Sequence, residues 1–283
     1  MTIYINGQLS NHLPSARRAL DYGDGLFETM RFEGGRVALW PYHLARLAEG
    51  LERLAINQST DSIETEFQEL LTGLCSEGQS AGVIKLRIFR GGDRRGYAPE
   101  PGVENYRVFE WAAEVPHWGD AETAMLCTQI VAHQPQLAGI KHLNRLEQVL
   151  AAREVELSQS CTTGIMLDYR GMLCCGVDSN LFIEDKGQVI TPRIEESGVN
   201  GVLRRYAIEQ LAEMDVPVQE EDIDPSILQD CDGLWLSNAL RGLRRVKYVS
   251  EFADWSASAS PLLEDLQARL RQSLGITSGV TEA

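Results

Sequence analysis

The feature that most constrains the fold is a loss of periodicity at residues 112–123 of the 283-residue chain. On both sides of this stretch, segments with strand-like alternation and segments with helix-like spacing of apolar residues follow one another. The stretch itself has neither period and contains both a proline and a glycine. The sequence therefore predicts an α/β protein with a small N-terminal domain at 1–111, a connection at 112–123 and a larger C-terminal domain at 124–283.

The apolar pattern predicts individual strands and helices in both parts of the chain. In the N-terminal part, strands are expected at 26–32, 36–39, 82–89 and 106–111, and helices at 42–54 and 62–74. In the C-terminal part, strands are expected at 125–131, 163–167, 180–184, 189–191 and 233–237. Helices are expected there at 143–157, 202–213 and 260–274.

Composition excludes several classes of protein. Hydrophobic residues make up 43% of the chain and charged residues 24%, as in ordinary soluble domains. No run of about 18 apolar residues occurs, which excludes a membrane-spanning helix. Residues 1–7 carry neither a basic region nor an apolar core of signal-peptide length, so residence in the cytoplasm is expected.

The charge and the cysteine pattern narrow the range of partners. A net charge of −15 argues against nucleic acid, because nucleic-acid binding depends on Lys and Arg neutralising phosphates. A small anionic ligand is compatible with local concentrations of arginine at 94–95, at 204–205 and at 241 with 244–245, although each could equally be solvated. The six cysteines show no CxxC spacing and the five histidines no HExxH pattern. We therefore expect free thiols in a reducing compartment and no metal site.

One lysine, Lys141, lies in a setting that is poor for a surface residue. It follows the small, apolar segment 137–140 and precedes the predicted helix at 143–157. The N-terminus of a helix is the positive end of its dipole, which favours the neutral amine that Schiff-base chemistry requires. A solvated surface lysine is the alternative, and only the neighbouring motifs decide between the two.

Two further features could hold a phosphate group. The turn at 198–201 contains two glycines and opens a predicted helix, so its exposed backbone N–H groups would suit an anion; a plain turn is the alternative. Arg46 lies on the polar side of the first amphipathic helix, where it is either solvated or available for a bidentate phosphate contact. One lysine, a phosphate-binding helix end, several arginines and no metal site suit pyridoxal phosphate chemistry, in which the cofactor accepts electrons.

The order of these segments resembles the fold-type IV pyridoxal phosphate enzymes, or class IV aminotransferases, along nearly the whole chain. The resemblance rests on the motifs YGDGLFET at 22–29, HLARL at 43–47 and SNLF at 179–182. Within that superfamily, the chain resembles aminodeoxychorismate lyases in KHLNRLEQ at 141–148, RRGY at 94–97, GVNG at 198–201 and NAL at 238–240. The resemblance implies a small N-terminal α/β domain and a larger C-terminal α/β pseudo-barrel domain that holds the cofactor, usually in a homodimer.

The resemblance also implies roles for individual residues. Lys141 is expected to form the Schiff base with pyridoxal phosphate and then to remove and return protons at the substrate. Further cofactor contacts are expected from the Arg46 side chain, the backbone N–H groups of Val202 and Leu203, and the turn at Asn238 and Ala239. Contacts to the carboxylates of the substrate are expected from Arg95, Tyr97 and Arg241.

One cofactor-contacting position departs from the family pattern. Members normally have a glutamate five residues before the asparagine of the SNLF motif, where it keeps the pyridine nitrogen protonated, and this chain has Cys175 there. A neutral thiol is a poor partner for a pyridinium, and its reference pKa of about 8.5 gives little thiolate at neutral pH. Either Cys175 is partly thiolate, or an acid such as Asp178 substitutes, or the electron sink is weaker.

The expected activity is that of a pyridoxal phosphate-dependent aminodeoxychorismate lyase, which converts 4-amino-4-deoxychorismate to 4-aminobenzoate and pyruvate in the folate pathway. Because aromatisation of the product supplies driving force, a lyase should tolerate a weaker electron sink better than a transaminase. The alternatives are a class IV aminotransferase acting on D- or branched-chain amino acids and a cofactor-binding relative with weakened catalysis.

Overall fold

The computed structural model describes residues 2–12, 16–256 and 260–277, which divide into two compact units. Unit 1 comprises Met1–Pro116 and Ile140–Asn144, and unit 2 comprises His117–Gly139 and Arg145–Ala283. The first boundary falls inside the stretch that lacks periodicity. The short lysine-bearing segment belongs to unit 1, although both of its flanks belong to unit 2. A division of function between the predicted domains stays a prediction.

Within the described residues, unit 1 is built on a five-stranded antiparallel sheet. Its strands are β1 (Thr2–Ile5), β2 (Gln8–Ser10), β3 (Gly25–Glu33), β4 (Ala81–Phe89) and β5 (Tyr106–Ala112). They lie in the order β2-β1-β5-β4-β3, which makes β3 an edge strand. The helices are α1 (Arg17–Tyr22), α2 (Trp40–Arg53) and α3 (Thr60–Ser76).

Alternation along β3, β4 and β5 divides this sheet into an apolar face and a more polar face. Met30 and Phe109 are almost fully buried on the apolar face. Phe67 of α3 lies 6.3 Å from the ring of Phe109 and stacks on Trp40 of α2 at 3.7 Å. The two long helices therefore cover the apolar face. Side chains at the alternate positions of β3, such as Phe27, point to the more polar face.

The predicted short strand at 36–39 does not form. A single bridge between Glu33 and Arg36 closes a glycine turn, and the chain then runs directly into α2. The helix begins two residues earlier than predicted because Pro41 lies in its first turn, where a proline is well tolerated. The remaining predicted elements of unit 1 agree with the structure to within two residues at each end.

Unit 2 contains a nine-stranded mixed sheet in the part of the chain that is described. Its strands are β6 (Glu122–Leu126), β7 (Thr163–Leu167), β8 (Leu173–Gly176), β9 (Asn180–Asp185), β10 (Gln188–Pro192), β11 (Val218–Glu221), β12 (Gly233–Asn238), β13 (Gly242–Val249) and β14 (Ala253–Asp254). The order is β11-β10-β9-β12-β13-β6-β7-β8, with β14 on β13. The sheet curls into a half-barrel, which confirms the predicted pseudo-barrel.

The helices of unit 2 are α4 (Leu146–Ser158), α5 (Val202–Glu213) and α6 (Pro261–Leu274), with a 3-10 turn at Pro225–Gln229. Leu181, Leu234 and Leu236 are fully buried in one large apolar cluster on the sheet. None of the helices within 2–12, 16–256 and 260–277 is long and apolar enough to span a membrane.

The strand predicted at 125–131 is wrong in position. The observed strand β6 ends at Leu126, and the chain beyond it is irregular. The backbone N–H groups of Thr128 and Gln129 donate to the carboxylate of Glu154 on α4, at 2.7 and 2.9 Å. These donors are therefore satisfied by a side chain, and an apolar pattern alone gives no sign of that.

Helix α4 has its polar side toward the rest of unit 2 and its apolar side toward solvent. Besides Glu154, Glu147 accepts a hydrogen bond from the backbone of residue 132 at 3.2 Å. Of the apolar residues that were expected to form a stripe, Leu146 (77%), Val149 (60%) and Leu150 are exposed instead, while Val155 packs against a buried cluster. Ala151 is the buried residue of this helix.

Candidate active site

The segment that carries Lys141 adds an extended stretch to the edge of the unit 1 sheet. The backbone N–H of Phe27 donates to the Lys141 carbonyl and that of Leu143 to the Gly25 carbonyl, both at 2.9 Å. The half-buried Lys141 places Nζ 4.5 Å from the centre of the Phe27 ring. The backbone of the lysine is thus fixed by β3, and its amine lies against an aromatic face.

The prediction that Lys141 lies at a helix N-terminus is wrong. Helix α4 begins at Leu146, and the helix dipole acts on groups within about the first turn. Residues 141–143 are held extended by β3, and the Asn144 side chain donates to the carbonyl of Gly23 at 3.2 Å. These tertiary contacts override the helical spacing that begins at Leu143.

A second amine, which the sequence interpretation missed, lies on the same ring. Lys85 of β4 places Nζ 5.4 Å from the Phe27 centroid and is paired in register with Thr29 of β3. Burial and then the nearby Arg87 lower the pKa of Lys85. Polar residues at alternate positions of the predicted strand 82–89 were the signal that could have revealed this half-buried cation.

Arg46 does not lie on a solvated side of α2 but in a buried cluster with Glu28 and His43. Arg46 Nε donates to Glu28 Oε1 at 2.7 Å and Nη2 contacts Oε2, while His43 Nδ1 lies 2.6 Å from Oε2. The three residues are at most 4% exposed. A carboxylate opposite the buried guanidinium is what allows Arg46 to be inside.

The protonation states in this cluster follow from its geometry. Burial opposes ionisation of Glu28, but Arg46 and His43 outweigh it and lower the pKa of Glu28 to about 2. Burial lowers the pKa of His43, Glu28 opposes this, and the charges of Arg46 and Lys141 add to the lowering. Protonation of His43 is thus disfavoured by burial and by the two neighbouring cations, and favoured by Glu28.

In unit 2 the turn at 198–201 leads into α5 as predicted. Gly201 caps the helix in an extended conformation and, as a glycine, offers no side-chain acceptor to the first-turn N–H groups, which include those of Val202 and Leu203. Asn180 fixes the turn from both sides, donating to the Val199 carbonyl at 2.8 Å and accepting from the Gly201 N–H at 3.1 Å. A Cβ at Gly201 would lie 2.1 Å from Asn180 Oδ1, so only glycine permits this closure.

The second predicted phosphate-facing turn, Asn238–Ala239, also exists in unit 2. Asn238 Oδ1 accepts from the backbone N–H of Leu240 at 2.8 Å, and its amide donates to the carbonyl of Asp178 at 2.6 Å. Arg241 follows directly, and its Nη2 lies 2.5 Å from the buried carboxylate of Glu122. The predicted substrate arginine is thus one-third exposed and already has a counter-charge.

Cys175 is buried next to Cys174 on β8. Its neighbour thiol and burial together raise the pKa of Cys175 well above that of an ordinary cysteine. A partly ionised Cys175, the first of the three explanations above, is therefore disfavoured. The second explanation was that Asp178 takes the place of the family's glutamate. The carboxylate of Asp178 lies 3.2 Å from the side chain of Arg244 and 3.8 Å from that of Arg241.

The predicted substrate residues Arg95 and Tyr97 lie in the long loop between β4 and β5. Both are exposed, with Tyr97 at 85%, and the Tyr97 ring lies 5.3 Å from that of Tyr22. They belong to unit 1 together with Lys141 and Arg46, whereas Cys175 and the two turns at 198–201 and 238–239 belong to unit 2. Their contact with a substrate stays a prediction.

The donors of each unit fit one part of pyridoxal phosphate. Unit 1 supplies an amine on an aromatic ring and a buried arginine, which suit an aldehyde and a phosphate respectively. Unit 2 supplies a helix N-terminus without a side-chain cap or an acidic residue in its first turn, which suits a phosphate. Cys175 of unit 2 offers no negative charge to a pyridinium, so this position does not fit the ring nitrogen.

Comparisons with known proteins identify the family of the chain. The family model Amino-transferase class IV matches residues 25–249. The chain is 32% identical to the aminodeoxychorismate lyase of Vibrio harveyi over 252 residues, which cover 87% of this chain and 91% of the relative. It is similar in structure to the 4-amino-4-deoxychorismate lyase of Pseudomonas aeruginosa, with a TM-score of 0.86 and 35% identity over 95% of this chain and 98% of that one.

A more distant structural relative shares the fold. The branched-chain aminotransferase of the thermophilic archaeon Thermoproteus uzoniensis, solved with norvaline, superposes with a TM-score of 0.85. It is 17% identical, and the match covers 98% of this chain and 96% of that one. Lyases and aminotransferases thus both occur among the relatives, and these two lyases are more similar in sequence than this aminotransferase.

Proposed function

Because the chain belongs to the class IV aminotransferase family, we propose that it is a pyridoxal phosphate-dependent lyase that converts 4-amino-4-deoxychorismate to 4-aminobenzoate and pyruvate. The observation that carries the proposal is the identity of 32% and 35% to lyases over most of the chain. The setting of Lys141 supports it, since a fixed backbone and an aromatic wall suit an amine that must act at one atom.

Pyridoxal phosphate, when bound, supplies an aldehyde that joins to an amine and a ring that accepts electrons. Lys141 would hold that aldehyde in the resting enzyme, with Arg46, Val202 and Leu203 holding the phosphate. Lys141 Nζ then takes a proton from the substrate ring carbon that carries the amino group. The bond from the ring to the ether oxygen breaks, and a proton delivered to the departing three-carbon fragment gives pyruvate.

The substrate carries two carboxylates, and this chain offers several cations for them. Lys85 shares the Phe27 ring with Lys141, which favours it as one contact. Arg95 and Arg241 are the others that the proposal uses, with Tyr97 as a hydrogen-bond donor. A cationic Lys85 beside Lys141 would also orient a dicarboxylate more firmly than an apolar amino acid, which favours the lyase.

Purified protein loaded with pyridoxal phosphate tests the proposed function directly. One assay supplies 4-amino-4-deoxychorismate alone and measures pyruvate and 4-aminobenzoate. The other supplies a D- or branched-chain amino acid with a 2-oxo acid and measures the exchanged amino group. We expect equal amounts of pyruvate and 4-aminobenzoate without an amino acceptor. Turnover only in the second assay would establish the aminotransferase instead.

A cofactor-binding relative with weakened catalysis is the second alternative, and Cys175 is the observation behind it. A buried neutral thiol gives less stabilisation to a pyridinium than a carboxylate does. Retention of the visible absorbance of bound cofactor without turnover in either assay would support this alternative.

We also propose that the protein is a cytoplasmic homodimer. The cytoplasm suits the six free thiols, and the outward apolar side of α4 suits a second copy of the chain. Sedimentation should give about twice the chain mass of 31.5 kDa. Val149→Asp should shift the mass toward that of one chain, whereas Glu156→Gln on the same helix should not.

A further inference from the structure

The exposed loop that carries Arg95 and Tyr97 is held at its centre by one buried arginine. Arg18 of α1 is 3% exposed. Its Nη1 donates to the Gly96 carbonyl at 3.1 Å and its Nη2 to the Tyr97 carbonyl at 2.7 Å. Since neighbouring side chains of the loop are in solvent, these two bonds fix the backbone while leaving Arg95 and Tyr97 accessible.

The same guanidinium is anchored by a carboxylate. Arg18 Nε donates to Asp24 Oδ2 at 2.8 Å, and Arg90 Nε donates to the same oxygen at 3.0 Å. Arg90 in turn donates to the carbonyls of Leu54 and Ala55, just past the end of α2. Asp24 therefore joins the loop to the body of unit 1 through two charged hydrogen bonds, which are stronger than neutral ones.

Asp24 lies in the turn that also holds the lysine segment. Its neighbour Gly23 accepts from the side chain of Asn144, and its other neighbour Gly25 accepts from the backbone of Leu143. Lys141 and the loop at 94–97 are thus fastened to adjacent residues of one short turn. A shift of that turn would move the catalytic amine and the proposed substrate contacts together.

We propose that Arg18 is a positioning residue for substrate binding, acting by fixing the backbone at Gly96 and Tyr97. The proposal rests on the proposed function for the identity of the substrate, a dicarboxylate. Arg18 touches no reacting atom, so its effect is on the placement of Arg95 and Tyr97. An arginine is required because its rigid, planar fork reaches three acceptors at once, which the single ammonium of lysine cannot do.

The test compares Arg18→Gln and Arg18→Lys with Arg17→Gln in the holoenzyme. Arg17 lies on the same helix, but it is about half exposed and pairs with Asp21, one turn away. The first readout is the rate at which trypsin cleaves after Arg94 and Arg95, identified by mass spectrometry. The second readout is the separate change in kcat and in KM with 4-amino-4-deoxychorismate as substrate. The visible spectrum of each variant shows whether the cofactor is bound.

Both Arg18 variants should be cleaved at least about fivefold faster in the loop than wild type, because local opening exposes the bond to the protease. KM should rise about tenfold with a smaller change in kcat, as expected when a binding contact is displaced. Arg17→Gln should match wild type in both readouts. Full rescue by Arg18→Lys would show that charge alone matters and would overturn the proposal.

Other outcomes are equally decisive. An unchanged cleavage rate in both variants would overturn the role of Arg18 in holding the loop. Faster cleavage with an unchanged KM would show that the loop is held but is irrelevant to the substrate, which also overturns the proposal. If Arg18→Gln fails to fold, Asp24→Asn removes the anchor and keeps the side-chain size, with the same expectations. Absence of lyase turnover in wild type would refute the proposed function, whereas the cleavage rates would still decide whether Arg18 holds the loop.

Discussion

The two units provide functional groups of different kinds. Unit 1 offers ionisable side chains, namely Lys141, Lys85, Arg46 and the Glu28–His43 pair that accompanies Arg46. Unit 2 offers mainly backbone N–H groups at the start of α5 and two buried thiols on β8. Substitution removes a side chain but not a backbone group. We therefore expect substitutions in unit 1 to reduce function most at the ionisable residues themselves. In unit 2 we expect the largest losses at residues that hold the turns in shape.

The pKa values of two buried acids, Glu28 in unit 1 and Cys175 in unit 2, shift in opposite directions. Glu28 is ionised in the interior because Arg46 and His43 compensate it, and its pKa falls to about 2. Cys175 has no cation that outweighs burial and the neighbouring thiol, and its pKa rises. Partners rather than depth therefore decide whether a buried acid is charged.

The largest effect is expected at Lys141. Lys141→Ala removes the amine that binds the aldehyde and moves the proton, so turnover should fall by about a thousandfold or more. The absorption band of the imine between protein and cofactor should vanish as well. Lys186→Ala, at an exposed turn, is the control and should keep both. Survival of the band in Lys141→Ala would assign the Schiff base to another lysine.

The next largest effect is expected on the folding stability of the protein when Glu28 is protonated or substituted. Since its pKa in the fold is about 2 against an ordinary 4.5, the ionised form contributes stability that is present above pH 4.5. That contribution, roughly 3 kcal/mol, is lost as the pH falls from 4.5 toward 2. Glu28→Gln should lower the free energy of unfolding by about this amount at pH 7 and flatten its decline below pH 4.5.

Urea unfolding at several pH values measures both effects. Glu49→Gln on the same helix α2 is the control, because Glu49 and Arg53 form a partly exposed pair. That variant should differ from wild type by no more than about 0.5 kcal/mol. Equal losses in the two variants would contradict the distinction between a compensated interior charge and a surface pair.

In unit 2 we expect a smaller effect, on cofactor affinity, from substitution of Asn180, which holds the turn at 198–201 in shape. Asn180→Ala removes both bonds that close the turn at 198–201, so the affinity for pyridoxal phosphate should fall by about tenfold. Equilibrium titration of the visible band measures this affinity. Gln219→Ala on the exposed strand β11 should leave it unchanged. An undiminished affinity in Asn180→Ala would mean that the backbone at the start of α5 does not hold the phosphate.

The smallest effect is expected for Cys175→Ser. Since a neutral hydroxyl replaces a neutral thiol, turnover should stay within about threefold of wild type, as should that of Cys161→Ser. Cys175→Glu introduces the acid that the family normally has, and should shift the visible band of the cofactor or change the rate. If Cys175→Ser loses activity severely while Cys161→Ser does not, the thiol has a chemical role that a neutral group cannot fill.

Elements with a clear period could be predicted from the sequence. Strands β3, β4 and β5 alternate, and the leucines of α2 form one stripe, so their bounds were correct to within two residues. The segment with Lys141 and the glycine turn before α5 were also recognisable, because their chemistry depends on residues adjacent in the chain. The fold class, α/β with a pseudo-barrel, was confirmed.

Features decided by distant contacts could not be predicted. The burial of Arg46 depends on Glu28, which lies on another element, and only the folded sheet brings them together. Lys85 becomes a neighbour of Lys141 through Phe27, and no local pattern joins the three. Helix α4 has its polar side inward, where Glu154 accepts from two backbone donors of the preceding loop, and no local pattern reveals these contacts.

The contact between Gly23 and Asn144 has a consequence for how such a chain can change. A Cβ at Gly23 would lie 2.4 Å from the side-chain oxygen of Asn144, and the backbone of Gly23 has a φ of +62°. The carboxamide of Asn144 occupies the space that glycine leaves. The two positions, 121 residues apart, therefore constrain each other's substitutions. Any transplant of the lysine segment into a related scaffold has to carry the glycine turn with it.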